Sequence, residues 1–185
     1  IRDRGMAQAE VFRRPRVFVM STGSELLDPG EEYVPAKIYN SNVFTISAYL
    51  TAMGAECVSG GSVPDEPDTI AARIAAAAEE YDLVVTTGGA SVGNYDYAVR
   101  ASERAGAEVM FWKTSMKPGG SMAAARKGKT VILSLSGNPG AACIALLRVC
   151  SPLVKRLCGR SDFALRPMTV RLKNGLPKKS VKQRI

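Results

Sequence analysis

The sequence contains no histidine, and its four cysteines include no C-x-x-C pair. The first absence excludes catalysis by Ser-His-Asp or Cys-His groups, so any proton transfer depends on carboxylates, lysine, tyrosine or a bound metal ion. Together the two absences argue against a zinc site. We expect Cys57, Cys143, Cys150 and Cys158 to be small buried thiols, which suits a reducing cytoplasm.

The sequence also lacks any apolar run near the roughly 20 residues that a membrane helix needs. No charged-then-apolar leader opens it, so we expect a cytoplasmic protein without a membrane span. Its 185 residues, with 46% hydrophobic content, fit one well-packed domain with a little left over. Because the chain begins at Ile1 and its end carries no stopping signal, we expect both ends to be fragment boundaries.

The formal net charge of +8 is unevenly distributed along the chain. Between Val17 and Leu165 there are 13 Lys and Arg against 15 Asp and Glu, a net charge of −2. The two ends together therefore hold a net charge of +10. A basic stripe on the folded body would indicate a nucleic-acid partner, whereas this pattern favours solvated basic tails. A tail that touches RNA or anionic lipid is the second reading.

Apolar runs alternate with helical patterns along the chain. We predict strands at 16–21, 56–60, 83–87 and 108–112, a hairpin of 122–126 and 130–135, and helices at 41–53, 69–81, 95–105 and 138–158. In the first helix, the side chains of Val43, Ile46, Ala48 and Leu50 are predicted to face inward. The alternation predicts an α/β fold with three α/β/α layers and a mostly parallel sheet.

The pattern changes after Gly159. We predict a linker at 1–15, one domain at 16–160, and the start of a truncated C-terminal domain at 161–185. Residues 165–173 resemble one strand of that second domain.

Two glycine turns follow predicted strands, where ligands bind in parallel α/β sheets. In the first, Gly88-Gly89 and Ser91 precede a helix, so backbone N–H groups and a hydroxyl are available for a phosphate or another oxyanion. Asp96, at the start of that helix, either holds a cation, orients water or simply stabilises the helix end. In the second turn, Asn138-Pro139 starts a helix, and the flanking glycines make a second anion site about as plausible as a purely structural role.

Lysines and acids occupy the remaining loops at the predicted sheet edge. Lys113 and Lys117 stand four apart beside a strand end and can reach one anion, although a solvated lysine pair is the better explanation when this loop is taken alone. Glu25, Asp65 and Asp96 follow three successive strands. Their convergence would suit a metal ion and a phosphate, since carboxylate oxygens bind Mg²⁺, and each is otherwise an ordinary acidic loop residue.

In this order, the loops resemble the molybdopterin-binding domain of MoeA and of the gephyrin E domain, over roughly residues 16–160. The resemblance rests on TGSEL at 22–26, YNSN at 39–42, DEP at 65–67, TTGGxSxG at 86–93 with DY at 96–97, MKPG at 116–119 and SGNP at 136–139. It implies the MogA/MoaB-like fold and a molybdopterin molybdenumtransferase. Such an enzyme inserts molybdate into adenylylated molybdopterin and releases AMP, with Mg²⁺ assisting.

The resemblance implies roles for individual residues. Glu25, Asp65 and Asp96 match the acidic catalytic residues, and Asp65 and Asp96 are the expected Mg²⁺ ligands. We assign ligand binding to the turn, hydroxyl and lysine residues of the same loops: Thr22, Gly23, Thr87, Gly88, Gly89, Ser91, Gly93, Lys113, Lys117, Pro118, Gly119, Gly137, Asn138 and Pro139. The expected partners are a molybdopterin or AMP-type ligand, a MogA-like adenylyltransferase and a second copy in a homodimer, with no nucleic acid and no membrane.

The chain departs from the family pattern in two loops. Gly120 and Ser121 stand where the family writes Lys-Pro, and Ser136, Gly140 and Ala141 replace a Pro, a Val and a Ser. Pterin binding is therefore better supported than molybdate insertion. Three alternatives follow: a molybdopterin-binding module without insertion activity, a MogA/MoaB-like adenylyltransferase, or an interaction scaffold. Because the family's site is shared between domains and subunits, we expect the isolated chain to bind weakly and turn over little.

Overall fold

A six-stranded mixed sheet forms the centre of the computed structural model, which describes residues 5–88, 95–171, 173–174 and 183–184. The strands are β1 (Arg16–Thr22), β2 (Leu26–Leu27), β3 (Ile38–Tyr39), β4 (Glu56–Val63), β5 (Leu83–Gly88), β6 (Glu108–Trp112), β7 (Met116–Lys117), β8 (Ala123–Lys127), β9 (Thr130–Leu135) and β10 (Gln183–Arg184). The helices are α1 (Asn42–Ala52), α2 (Pro67–Glu80), α3 (Tyr95–Arg104), α4 (Pro139–Ala145) and α5 (Ser151–Leu157), with a π-helical segment, Leu146–Cys150, joining the last two.

The central sheet has the strand order β4-β1-β5-β9-β8-β6. The four strands from β4 to β9 are parallel, whereas β8 runs antiparallel to both of its neighbours. β1 and β5 are buried on both faces, as their continuous apolar, β-branched sequences predict. The carboxyl ends of β1, β5 and β9 therefore meet at one edge of the sheet.

Helices cover both faces of the sheet and create two cores. On one face, α1 and the helical segment 139–157 pack against the sheet around Val43, Leu50 and Leu146. On the other face, α2 and α3 pack around Ile74 and Ala101. The predicted three-layer α/β/α architecture with a mostly parallel sheet is confirmed.

Most predicted elements are confirmed with shifts of a few residues at their ends. The β8–β9 hairpin pairs as expected, and α1 ends where Gly54 adopts a φ of 104°. Ala48, however, is exposed, because the inward stripe of α1 follows Val43, Ile46 and Leu50. The expected strand at 165–173 is also wrong within its described part, since residues 165–171 form no regular element.

The segment before β1 contacts the domain. The guanidinium of Arg13 donates two hydrogen bonds to the carboxylate of Asp82, which also accepts the backbone N–H of Arg16 at 2.8 Å. These donors hold the pKa of Asp82 below its usual range, with the Arg13 hydrogen bond as the main cause. The last residues of the predicted linker are therefore tied to the folded body.

The cysteines are free thiols in the structure. Cys150 is fully buried in the first core, and this burial raises its pKa to about 12. Cys57, Cys143 and Cys158 are only half-buried, so the expectation of buried thiols is confirmed for Cys150 alone. Among the described residues, no helix is long and apolar enough to cross a membrane.

Candidate functional site

A cleft of about 390 Å³ opens at the edge of the sheet where β1, β5 and β9 end. Polar groups from loops far apart in the sequence form its walls. The lining residues are Ser21, Thr22, Glu25, Leu26, Ile38, Tyr39, Asn40, Ser41, Asn42, Asp65, Thr87, Gly88, Ser136, Gly137, Asn138 and Pro139. The structure thus brings together eight of the predicted site residues: Thr22, Glu25, Asp65, Thr87, Gly88, Gly137, Asn138 and Pro139.

Hydrogen bonds tie the first residue of α1 to the ends of two strands. The Asn42 side-chain amide donates to Thr87 Oγ1 at 3.0 Å and to the Gly137 carbonyl oxygen at 2.9 Å. Thr87 Oγ1 in turn donates to the Ser136 carbonyl oxygen at 2.9 Å. These bonds hold the walls of the cleft at a set separation.

The two glycine turns pack directly against each other. A Cβ atom on Gly88 would lie 1.9 Å from the Thr22 carbonyl oxygen, and one on Gly137 would lie 3.2 Å from the Gly88 Cα. Gly88 also has a φ of 112°. Contact with β1 is by itself enough to require glycine at position 88, and the predicted close approach of a ligand to this turn stays a prediction. Gly89, Ser91 and Gly93 lie outside the described residues, as does the side chain of Asp96.

A pair of carboxylates lies at one wall of the cleft. The Glu25 side chain is exposed and folds back over Gly23, where an added Cβ would meet its carboxylate oxygens at 2.8–2.9 Å. Burial is the main cause that raises the pKa of Asp65, and the hydrogen bond from Ser24 opposes it. The charge of Glu25 raises this pKa further, and a weaker hydrogen bond from Thr22 lowers it. Asp65 Oδ1 is buried without a hydrogen-bond partner in the described part of the chain. This oxygen therefore has unused acceptor capacity beside the cleft.

Two helices begin at the cleft without acidic residues in their first turns. Asn138 caps the helical segment 139–157, because its Oδ1 accepts the Ala141 N–H at 3.1 Å. Pro139 takes the first helical position, as the sequence predicts. With no acid nearby in either first turn, the positive ends of the helix dipoles remain available to an anion.

The lysine loop stands apart from the cleft. Lys113, Lys117 and Pro118 are exposed and are not among the residues that line it. The Lys113 ammonium lies 4.4 Å from the centre of the Trp112 ring. Gly119 is buried beside the helix, where an added Cβ would approach the Ala141 carbonyl oxygen at 3.3 Å. The loop therefore flanks the segment that lines the cleft, and the prediction that it joins the same pocket is not met within the described residues.

Sequence reasoning did not assign a site role to Asn40 or Asn42. Asn40 is only 2% exposed, and its Oδ1 accepts the Ser21 hydroxyl at 2.8 Å. Tyr39 and Ile38 form an exposed apolar lip beside them. The sequence signal for such a role was the polar run Asn40, Ser41 and Asn42 at the start of a helix. A helix needs only one side chain as its N-cap, so the other polar side chains of the run are free for other contacts.

Known proteins resemble the chain in sequence and in structure. A family model described as a probable molybdopterin binding domain matches residues 18–156, well over half of the chain. The molybdopterin molybdenumtransferase of Haemophilus influenzae is 32% identical over 163 residues, which are 88% of this chain and 40% of that protein. The enzyme of the same name from Staphylococcus aureus is 37% identical over 155 residues, 84% of this chain and 37% of that protein.

A solved structure shows the same fold. The molybdopterin biosynthesis MoeA protein from Pyrococcus horikoshii superposes with a TM-score of 0.74 at 29% identity, covering 80% of this chain and 37% of that one. The chain thus spans well under half the length of these relatives. The residues that the family model matches include every described residue that lines the cleft and, except for Val17, every buried residue of the two cores. The chain therefore belongs to the family of probable molybdopterin binding domains.

Proposed function

We propose that this chain is the ligand-binding domain of a molybdopterin molybdenumtransferase. In that role it binds adenylylated molybdopterin, and the full-length protein inserts molybdate and releases AMP. The observation that carries the proposal is the cleft itself, in which a carboxylate pair faces two helix N-termini and several hydroxyl and amide groups. The relatives named as molybdopterin molybdenumtransferases support the choice of reaction.

The groups of the cleft suit the two charged ends of such a substrate. Phosphate oxygens accept hydrogen bonds, and the N-termini of α1 and of segment 139–157 present donors and positive dipole ends. Asn42 and Thr87 position these elements. A site built in this way stabilises charge that develops on phosphate oxygens without costly rearrangement.

Mg²⁺ fits the acidic wall of the cleft. Magnesium prefers carboxylate oxygens and keeps several waters, so one or two carboxylates suffice. Asp65, with its buried unpaired Oδ1, is the described residue that fits this role, and Asp96 is the second ligand that we expect from the sequence. When bound there, the ion would polarise the phosphoanhydride. Across the described residues, no group of three or more His, Cys, Asp or Glu gathers to form a larger metal site.

The direct test is molybdate-dependent AMP release by the full-length protein. We expect release to require both molybdate and Mg²⁺, and to fall at least about 100-fold in Asp65→Asn and Asp96→Ala, because such groups act on the reacting charge. Asp68→Asn, an exposed neighbour of Asp65 in the next helix, is the matched control and is expected to keep wild-type activity. AMP release that is independent of molybdate would contradict the proposal.

The altered lysine loop favours a second candidate, a pterin-binding module without insertion activity. A Cβ atom on Gly120 would lie 2.5 Å from the Met116 carbonyl oxygen and 2.9 Å from that of Thr114. The tight turn thus has no room at position 120 for the lysine that is usual in the family. Calorimetry with molybdopterin, with and without AMP, measures pterin binding, which both candidates predict. A protein that binds pterin but releases no AMP when molybdate is added would be the binding module.

The remaining features of the proposal concern the whole protein. We propose that it is a cytoplasmic homodimer that receives its substrate from a MogA-like adenylyltransferase, without nucleic-acid or membrane partners. The four free thiols suit a reducing compartment, and the near-neutral charge of residues 17–165 argues against a nucleic-acid partner. The homodimer and the adenylyltransferase are proposed from the family resemblance. Because the chain spans 37–40% of its enzyme relatives, we expect the isolated chain to bind weakly and to turn over little. Robust turnover by the isolated chain would contradict that expectation.

A further inference from the structure

An extra residue in β4 turns Ser62 toward the loop that follows β2. β1 and β4 pair Val19 with Ser59 and then Ser21 with Ser62, so β4 contains one more residue than its partner over this stretch. The bulge lies at Gly60-Gly61, and Gly61 has a φ of 67°, which suits glycine. An added Cβ on Gly61 would meet the Asp28 carboxylate at 2.9 Å. The Asp28 carboxylate thus packs directly against the bulge.

The Asp28 carboxylate accepts three hydrogen bonds beside the bulge. Its Oδ1 accepts the Ser62 hydroxyl at 2.8 Å and the Asn40 amide at 3.2 Å, and its Oδ2 accepts the Ser62 backbone N–H at 3.2 Å. The Asn40 amide also donates to Ser62 Oγ at 3.1 Å. Burial opposes ionisation, yet these donors hold the pKa of Asp28 below its usual range. The carboxylate is therefore the shared acceptor of a network that centres on Asn40.

Asn40 connects this network to the cleft. Its Oδ1 accepts the Ser21 hydroxyl at 2.8 Å and faces the Val43 N–H at 3.4 Å, and its backbone N–H donates to the Leu27 carbonyl oxygen at 2.8 Å. Val43 is in the first turn of α1, next to Asn42. Asn40 thus links the Asp28 network to the first turn of α1, next to the Asn42 amide that contacts Thr87 and Gly137.

We propose that Asp28 is a positioning residue for ligand binding: through Ser62 and Asn40 it holds the first turn of α1 so that Asn42 bridges the two glycine turns. Asp28 itself is not among the residues that line the cleft. The inference uses the proposed function only in taking AMP as the probe. Asp28 is therefore expected to affect ligand binding only through the position of Asn42.

The first test is a double-mutant cycle measured as the Kd for AMP in the full-length protein. We expect Asp28→Ala and Asn42→Ala each to raise the Kd about tenfold, since each removes well-formed hydrogen bonds that preorganise the cleft. The double variant is expected to match Asn42→Ala alone, because Asp28 acts through Asn42. Asp28→Asn retains one acceptor oxygen and is expected to fall between wild type and Asp28→Ala. Effects that multiply in the double variant would overturn the proposal.

Asp68→Ala is the matched control of the cycle. It removes a carboxylate that accepts one exposed hydrogen bond, from Arg104 at 2.7 Å on the face of the sheet away from α1. The Kd for AMP is expected to stay within a factor of two of wild type. A control that weakens AMP binding as much as Asp28→Ala would show a general loss of stability and would overturn the positioning role.

The second test needs no ligand and therefore separates this inference from the proposed function. Hydrogen–deuterium exchange in the full-length protein is expected to rise in peptides from 39–47 in Asp28→Ala and, more weakly, in Ser62→Ala, with peptides from α2 unchanged. Ser62→Ala serves where Asp28→Ala does not fold. If wild type does not bind AMP, the proposed function fails and exchange alone decides this inference. Unchanged exchange at 39–47, or a rise spread over the whole chain, would overturn it.

Discussion

The side-chain amide of Asn42 donates a hydrogen bond to the carbonyl oxygen of Gly137, 95 positions along the chain, at 2.9 Å. With the parallel bond to Thr87 Oγ1, this contact spans the three elements that surround the cleft. It places a helix N-terminus beside two glycine turns, where an anion can be bound by dipoles and N–H groups together.

Asn42→Ala is expected to lower the free energy of unfolding by about 1–2 kcal/mol, because Thr87 and Gly137 lose their common donor in a partly buried setting. Chemical denaturation measures this change. Thr51→Ala, at the exposed far end of the same helix, is the control and is expected to change stability by less than about 0.5 kcal/mol. Equal effects of the two substitutions would show that the bridge contributes nothing to stability.

Gly88→Ala is expected to destabilise the protein by about 3 kcal/mol or more, because its Cβ would overlap the Thr22 carbonyl oxygen in addition to straining the backbone. Gly106→Ala is the matched control, since Gly106 also has a positive φ, of 79°, but has open space around its added Cβ. That substitution is expected to cost about 1 kcal/mol from the backbone alone. Thermal unfolding of both variants separates overlap from strain, and similar losses would contradict the close packing.

Asp65→Asn is expected to stabilise the fold at neutral pH while strongly reducing the AMP release that we propose for the full-length protein. The folded state raises the pKa of Asp65, so the folded protein disfavours the charged carboxylate. The resulting loss in the free energy of unfolding is absent below the ordinary carboxyl pKa of 3.8. It grows as the pH rises from there through the higher pKa that Asp65 has in the folded protein.

The melting temperature of Asp65→Asn should therefore exceed that of wild type at neutral pH, and the gain should vanish below pH 3.8. Asp68→Asn, at a side chain that is 90% exposed, is the control at neutral pH and below pH 3.8. A gain that is equally large in acid would show that charge is not its cause.

Gly120→Lys is expected to lower stability by about 1–3 kcal/mol without increasing AMP release, because the side chain enters the space of the Met116 carbonyl oxygen. Ser121→Pro tests the neighbouring departure at an exposed position and is expected to disturb the fold less. Both are assayed by thermal melting and by AMP release. A stable Gly120→Lys variant with faster release would show that the loop still accepts the family's lysine.

The sequence alone determined the layers of the fold and much of one wall of the site. Continuous apolar runs predicted buried parallel strands, and Gly54, Asn138 and Pro139 marked helix ends, because periodicity and capping depend on residues close in sequence. The positions of Glu25 and Asp65 after two successive strands predicted that they are neighbours at one edge of the sheet, where both line the cleft. These features needed no knowledge of strand order.

Only the tertiary structure decided which loops actually touch. The contact of Asn42 with Gly137 and the packing of Gly88 against Thr22 follow from the neighbouring positions of β1, β5 and β9 and from the register of their pairing. Lys117 is not among the residues that line the cleft, and its loop follows β6, which is the edge strand on the other side of β9 and β8. Local patterns carry no information about that order or register. For the same reason the bulge that seats Asp28 became visible only when β4 was paired with β1.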